Sequence, residues 1–574
     1  MERPWLRFYE KGVDPNPVVP EKSLPDLLDE ALKLSPNRPA LAFFGRKITF
    51  RQLHRLAGRI AAAFADLGVR RGDRVAIILP NIPQYVIAHY ALMKLGAILV
   101  PTNPLYVERE LEHQLNDSGA ELAIALDLLG KRLEAVRRKT KLRAVVYTSV
   151  RDFLPPLLRL LYPLKAKRDG NWVEPPSGSG IYQFADLLKR NFPGIPTVDI
   201  KPDDVAMFLY TGGTTGIAKG AVLTHRNLIA NLVQLRAWCC DLQLDREVIL
   251  AALPFFHSYG LTTCLHFGVF VRSMVVLIPR FDVNMILNVI QKYRVGLFPG
   301  VPTMYVAVNN HPMAKKYNLR HIKVCLSGAA PLPQEVAKKF EEITNGGRLV
   351  EGYGLSETSP VTHANPLFGE RREGSIGLPL PLTEAMVVDP ETRTPLPDGE
   401  VGELAVRGPQ VMQGYWQMPD ETDEVLRDGW LFTGDMARMD ADGYFYIVDR
   451  KKDMIIAGGF NIYPREIEEV LFKHPKVMEA AAIGVKDRYR GETVKAFVVV
   501  RPGESATEEE LIAFCKNELA AYKVPRLMEF RKELPKSLIG KVLRRVLVEE
   551  ERAKASSTAS PVVVRGELKV DGHE

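Results

Sequence analysis

Cysteine is scarce in this chain of 574 residues. There are five (Cys239, Cys240, Cys264, Cys325, Cys515), none in a Cys-x-x-Cys or other metal-ligand spacing. Cys239 and Cys240 are adjacent, a poor geometry for a bond between them. The pattern excludes a disulfide scaffold or zinc ribbon and fits a reducing, cytoplasmic setting. Long apolar runs are missing too. The stretch Val86 to Val100 is broken by His89 and Lys94, whereas a spanning helix needs roughly 18 or more uninterrupted apolar residues. The opening MERPWLRFYEKGVDPNP lacks the apolar centre of a signal peptide. Charge of one sign is weak: 76 Lys+Arg against 69 Asp+Glu leave +7. That suits an anionic ligand or membrane surface and does not call for nucleic acid. No repeat of fixed period occurs.

What is present is a soluble globular composition, 46% hydrophobic and 25% charged, at a length that predicts two or more domains. SLPDLLDEALKL has helical spacing, LAFFGRKITF reads as a hairpin around Gly45, and FRQLHRLAGRIAAAFADLG returns to helix. RVAIILP, ILVPTNP, ELAIALD and LRAVVYT are short apolar strands alternating with helices. This alternation predicts an α/β fold, a large layered N-terminal domain with several sheets. Around DRKKDMIIAGGFNIYPREIEEVL the character shifts to charge, double glycine and a helix near Pro464. The expected organisation is a large domain over 1–450, a small α+β C-terminal domain over 451–552, and a disordered tail over 553–574.

The densest stretch is YTGGTTGIAKG, Tyr210 to Gly220, after the apolar strand VAMFL and before an apolar helical segment expected from Asn227. Glycines without Cβ atoms, threonine donors and one mobile cation, Lys219, suit a loop that closes over a polyphosphate. It is not a Walker A loop, because Lys219 is followed by Gly220 rather than Ser or Thr. The second dense stretch is EGYGLSET, Glu351 to Thr358, read as a flexible turn carrying an aromatic ring and a carboxylate. Tyr353 can stack on a heterocycle, and Glu357 can hold Mg²⁺, a cation that wants oxygen ligands shared with phosphates. Asp435 in TGD is placed for ribose hydroxyls, with Arg450 after an aromatic strand. His257, in AALPFFHSYGL, taken alone reads as a packed histidine, and Lys541, in LPKSLIGKVLRR, as a solvated one of 76 basic residues.

Residues 151–180 differ from the rest. RDFLPPLLRLLYPLKAKR is apolar, interrupted by proline and ends in Lys165, Lys167 and Arg168. It reads either as an ordinary packed insertion with a solvated basic end or as a surface element touching lipid at the inner face of the membrane.

Together these motifs resemble the acyl-adenylate-forming superfamily, which includes acyl-CoA synthetases, luciferases and peptide-synthetase adenylation domains. YTGGTTGIAKG, YGLSET, TGD with DRKKD, and PKSLIGKVLRR occur in the family's order from about Ser23 to Arg545. Within the superfamily, LSGAAPLP, PFFHSYGLT and LPPLLRLLYPLK look most like bacterial long-chain fatty acid–CoA ligases. The resemblance implies a two-step reaction with ATP, Mg²⁺ and CoA: a fatty carboxylate takes AMP from ATP, and CoA then takes the acyl group. Two anions must meet in the first step, so positioning and positive charge carry the catalysis.

Residue by residue, the resemblance implies that Thr211, Gly212, Gly213, Thr214, Thr215, Gly216 and Lys219 hold the β- and γ-phosphates. Glu357 would bind Mg²⁺ with a hydroxyl from Thr211 or Thr214. Gly328, Ala329, Glu351, Gly352, Tyr353 and Gly354 would frame the nucleotide, with Asp435 and Arg450 on the ribose. Lys541 would bridge carboxylate and α-phosphate. Lys452 would be the hinge on which a mobile small domain turns to bring Gly458 and Gly459 to pantetheine. His257, Val301, Pro302, Thr303 and Gly328 would line the acyl pocket. The chain departs from the family at Gly212, where many members carry Ser or Thr, and at Ala218, where many carry Pro; Lys219 and the threonines remain. A ligase for a medium-chain or aryl acid, an acyl-AMP ligase serving a carrier protein, and a non-catalytic sensor are the competing readings. The sequence leaves a monomer or a homodimer open.

Overall fold

The first helix, Leu24–Leu34, shows how the large unit is built. Ser23 caps it, its amide donating to Asp26 Oδ2 at 2.7 Å, and Leu24, Leu27, Leu28 and Ala31 form one buried stripe at helical spacing. Thr49 and Gln52 cap the next helix, Phe50–Asp66, in the same reciprocal way. Between them the strands Pro39–Phe43 and Arg46–Thr49 pair antiparallel, as the sequence predicts. The computed structural model describes residues 3–170, 172–211, 218–457, 460–487, 490–537 and 542–558. The chain forms two compact units that divide between Ile447 and Val448.

In the first unit an eight-stranded sheet runs in the order Gly414–Tyr415, Lys219–Thr224, Val205–Thr211, Ile98–Pro101, Arg74–Ile78, Leu122–Leu126, Ala144–Thr148, Ile181–Gln183. From Val205–Thr211 to Ile181–Gln183 neighbours are parallel, whereas the two other strands are antiparallel to their neighbours. LAIAL and AVVYT are buried at every position, as expected of parallel strands covered on both faces. A second sheet orders Val248–Ala251, Met274–Leu277, Pro39–Phe43 and Arg46–Thr49, and a third Val324–Ser327, Arg348–Gly354, Val361–Ala364 and Leu378–Pro379. Leu297 bridges the two, pairing parallel with Ile249 and with Val324. The helix Pro83–Lys94 is buried without a break from Pro83 to Met93.

The second unit builds its own core around the long antiparallel pair Val477–Asp487 and Gly491–Val500, with Ile467, Leu471, Ala496 and Leu511 fully buried. Its helix Pro464–Lys473 starts where the proline predicts. Among the described residues no helix is long and apolar enough to cross a membrane.

Three local readings need correction. The helix expected from Asn227 begins at His225, and the strand Lys219–Thr224 precedes it; KGAVLT is too short to show a period of its own. Tyr353 and Gly354 lie in the strand Arg348–Gly354 rather than in a flexible turn. The last helix runs Arg544–Thr558, past the expected start of the tail; residues 559–574 lie outside the described part of the chain. The segment after Phe153 forms the helix Pro156–Arg168, of which only Ala166 is buried.

Candidate functional site

Most described candidates of the first unit converge on one segment, Glu351 to Thr358. Strands Val324–Ser327 and Arg348–Gly354 run parallel with Ser327 opposite Glu351. Gly328–Ala329 therefore leave the sheet beside Gly352–Tyr353, which continue the neighbouring strand. Glu351 is buried, and its Oε2 accepts the Leu332 amide at 3.2 Å. Ala329 holds a left-handed φ of +67° and is exposed. The Tyr353 hydroxyl donates to Asp435 Oδ2 at 2.6 Å, which joins the strand Trp430–Met439 to the site. Gly354 is required by close approach: a Cβ there would lie 1.8 Å from the Pro360 carbonyl oxygen.

On the phosphate side, Thr211 stands opposite Lys219 across the antiparallel pair of strands. Gly212, Gly213, Thr214, Thr215 and Gly216 lie outside the described residues. The Lys219 ammonium sits 5.2 Å from the centre of the Tyr415 ring, a cation–π distance. The Tyr415 hydroxyl in turn donates to Glu357 Oε1 at 2.8 Å. Burial first, and then the Glu357 charge, push the Tyr415 phenol well above its ordinary pKa, so the ring stays a donor. The Met412 amide fixes the Glu357 carbonyl at 2.8 Å. Glu357 is a hard oxygen donor held on one oxygen by a neutral hydroxyl, a donor chemistry that fits Mg²⁺ shared with phosphates.

On the third side, His257 caps a short turn of helix, its Nδ1 accepting the Tyr259 amide at 3.3 Å. The proton of its neutral ring is thereby placed on Nε2. The Ser258 and Ser356 hydroxyls lie 3.1 Å apart, which ties the histidine loop to the central segment. Gly328 faces the Tyr259 ring, with 3.0 Å left for a Cβ. Val301 and Pro302 are buried where Pro302 opens the helix Pro302–Asn309, and Thr303 is exposed. The loop before His257 is gripped from below. Asn81 Nδ2 donates to the Ala251 and Leu253 carbonyls at 2.9 and 2.7 Å and its Oδ1 accepts the Phe255 amide at 2.8 Å. Tyr85 donates to the Phe255 carbonyl at 2.9 Å.

The second unit is organised around Arg544. Its guanidinium reaches Asp449 at 3.3 Å, Asp453 at 3.1 Å and Glu468 at 2.7 Å. Burial opposes its charge, yet Glu468, Asp449 and Asp453 outweigh this and hold its pKa above the ordinary value. Asp449 also accepts the Arg465 amide at 2.7 Å, and the Arg450 amide donates to its other oxygen at 2.7 Å. Lys452 is exposed on the turn between Asp449 and Asp453. The hinge candidate is thus flanked by two carboxylates that share one arginine. Gly458, Gly459 and Lys541 lie outside the described residues.

Sequence reasoning missed Tyr415, Asn81, Ser258, Ser356 and Arg544. Tyr415 carries a weak cue, an aromatic pair after Gly414 in MQGYW. The others act across 76 to 174 positions of sequence, for which one sequence offers no signal.

Known proteins resemble this chain over most of its length. The profile of the AMP-binding enzyme family matches residues 28–416, and that of the AMP-binding enzyme C-terminal domain residues 466–541. The long-chain-fatty-acid–CoA ligase of Bacillus subtilis is 47% identical, over 96% of this chain and 98% of that protein. The long-chain-fatty-acid–CoA ligase of Escherichia coli O157:H7 is 41% identical, over 97% of this chain and 100% of that protein. Among solved structures, ATP-bound MatB from Rhodopseudomonas palustris is 31% identical with a TM-score of 0.81, covering 92% of this chain and 99% of that one. With both profiles in the expected order and relatives matching almost end to end, the chain belongs to the AMP-binding enzyme family.

Proposed function

We propose that the protein is a cytoplasmic long-chain fatty acid–CoA ligase that works through an acyl-adenylate. The observation that carries the reading is the linked set Lys219, Tyr415 and Glu357, next along the chain to the Tyr353–Asp435 pair. A cation at the end of a Gly/Thr segment is joined through Tyr415 to a carboxylate, and Tyr353 stands four residues before that carboxylate. The near-full-length identity to ligases named for long-chain acids supports the substrate class. The five cysteines stand free, which supports a reducing compartment.

In the first step a carboxylate oxygen attacks the α-phosphorus of ATP. The bond to the β-phosphate breaks and pyrophosphate leaves. Lys219 and the loop from Thr211 hold the departing phosphates, and Lys541 brings the two anions together. Glu357, aided by Thr211 or Thr214, holds Mg²⁺, which when bound neutralises charge on the phosphate oxygens. Tyr415 keeps the Glu357 carboxylate and the Lys219 ammonium in register. Gly328, Ala329, Glu351 and Gly352 frame the adenine, Tyr353 stacks on it, and Asp435 and Arg450 take the ribose. In the second step the CoA thiolate attacks the acyl carbonyl and the carbonyl–phosphate oxygen bond breaks, releasing AMP. A turn at Lys452 brings Gly458 and Gly459 to the pantetheine arm. His257, Val301, Pro302, Thr303 and Gly328 line the acyl pocket.

Pyrophosphate release with ATP and Mg²⁺ across acetate, octanoate, palmitate, oleate and benzoate, with and without CoA, tests this. Palmitate or oleate should turn over, with CoA needed to continue. Turnover confined to benzoate or octanoate would overturn the chain-length assignment, and silence on every acid would overturn the ligase. Lys541→Ala should lose orders of magnitude in adenylation and keep thioester formation from supplied acyl-AMP.

A further inference from the structure

The helix Pro156–Arg168 turns its apolar side outward. Leu157, Leu160, Leu161 and Leu164 recur at i, i+3, i+4 and i+7 and form one stripe. Leu157, Leu160 and Leu164 are 68%, 75% and 71% exposed, whereas the opposite side holds the buried Ala166 and half-buried Tyr162 and Pro163. Four neighbouring leucines presented to water on one short helix are a cost that a solvated helix has no reason to bear. Lys165 and Lys167 flank the stripe and Arg168 ends it.

A second basic element lies near the start of the helix. The hairpin tip after Phe43 exposes Phe44, Arg46 and Lys47. The Arg46 guanidinium lies 5.0 Å from the centre of the Phe153 ring, and burial, then repulsion from Arg159, lowers its pKa. Arg46, Arg159 and Lys165 form no ion pair with a carboxylate among the described residues. At the far end Trp172 lies between Arg151 and Lys167, 5.4 and 5.5 Å from its ring centre. Exposed leucines flanked by Lys165 and Lys167, with an amphipathic indole at the margin, match a surface of mixed apolar and anionic chemistry.

We propose that Pro156–Arg168 is a docking helix that lies in the headgroup region of an anionic bilayer, leucine stripe downward, with Lys165 and Lys167, which flank the stripe, meeting lipid phosphates. A second copy of this chain fits the face poorly. A two-fold contact sets a patch against itself, and here that would bring Lys165 and Lys167 against their own copies with no acidic residue on the helix to answer them. The assignment does not depend on the acid the enzyme uses.

Flotation of the full chain with phosphatidylglycerol/phosphatidylcholine vesicles, compared with phosphatidylcholine vesicles, tests it. The protein should float with the anionic vesicles and be released by high salt. Lys165→Gln and Lys167→Gln should each lower partitioning roughly fivefold. Leu160→Ser with Leu164→Ser should lower it roughly tenfold or more. Pyrophosphate release on octanoate or detergent-dispersed palmitate, which reads the chemistry alone, should be unchanged in these variants. No flotation with anionic vesicles, or flotation indifferent to both sets of substitutions, overturns the proposal. So does a dimer in sedimentation that the leucine variant dissolves, since the face would then be a contact between copies.

Discussion

Two helices of this protein are built from similar apolar residues and meet opposite fates. Pro83–Lys94 is buried at every position from Pro83 to Met93, while Pro156–Arg168 buries only Ala166 and holds its leucines in water. A one-sided apolar pattern is the usual sign of which face is buried, and it misleads at both. The first helix is hydrophobic nearly all round because other elements cover it all round. The second is hydrophobic on the side the protein leaves open. The difference extends to the candidate site. The turn leading into the buried helix carries Asn81 and its first turn carries Tyr85, and these hold the loop that ends at His257. The exposed helix touches none of the described candidate residues through a hydrogen bond or ion pair.

The comparison is broken most directly at Asn81. Asn81→Ala removes three buried hydrogen bonds at once and leaves an amide and two carbonyls without that partner. A loss of about 3 kcal/mol or more is expected in urea unfolding. A loosened His257 loop should also raise KM for the acid more than KM for ATP. A variant as stable as the parent would show that the buried helix does not anchor the loop.

The next effect is on acid stability. His89 on the buried helix and His266 have their Nε2 atoms 3.1 Å apart. Burial holds His266 down to about 3, with His225 at about 4 and His363 at about 3 by the same cause. Unfolded histidine titrates near 6.5. Below that pH the unfolded chain binds protons that the folded chain refuses, so stability falls as pH drops from about 6.5 toward 4. At pH 5 a single such histidine contributes a loss of about 2 kcal/mol. A urea midpoint unchanged between pH 7 and pH 5 would contradict this.

How far the sequence led depends on the reach of each cause. Short apolar strands and the helix start at Pro464 were legible because their causes are local. Lys219, Glu357 and Asp435 stand out in the sequence because motifs keep residue types together. The geometry between motifs was not. Tyr415 links Lys219 to Glu357 from far along the chain, and Arg544 gathers Asp449, Asp453 and Glu468, pairings decided by tertiary packing rather than spacing. The rigidity of Tyr353–Gly354 was also hidden, because glycine signals freedom in sequence whereas here it signals a backbone packed against Pro360.

Smaller effects sharpen the contrast. Tyr85→Phe keeps the ring and removes one donor to the Phe255 carbonyl, so about 1 kcal/mol should be lost. KM for the acid should move in the same direction as for Asn81→Ala, to a lesser degree.

The smallest change should come from the most hydrophobic-looking substitution. Leu164 is 71% exposed, so serine there removes apolar surface that folding never took from water. Leu→Ala in a closed core costs about 2–5 kcal/mol because a transfer term and a cavity term add, and at Leu164 both terms vanish. Leu164→Ser should therefore leave the urea midpoint within about 0.5 kcal/mol of the parent. A loss of about 2 kcal/mol or more, on the scale of a core cavity, would mean that the leucine is covered in the isolated protein and that the two helices are alike after all. An unchanged midpoint together with reduced flotation would separate the two roles of leucine: one helix uses it to hold the fold, the other to hold a surface outside it.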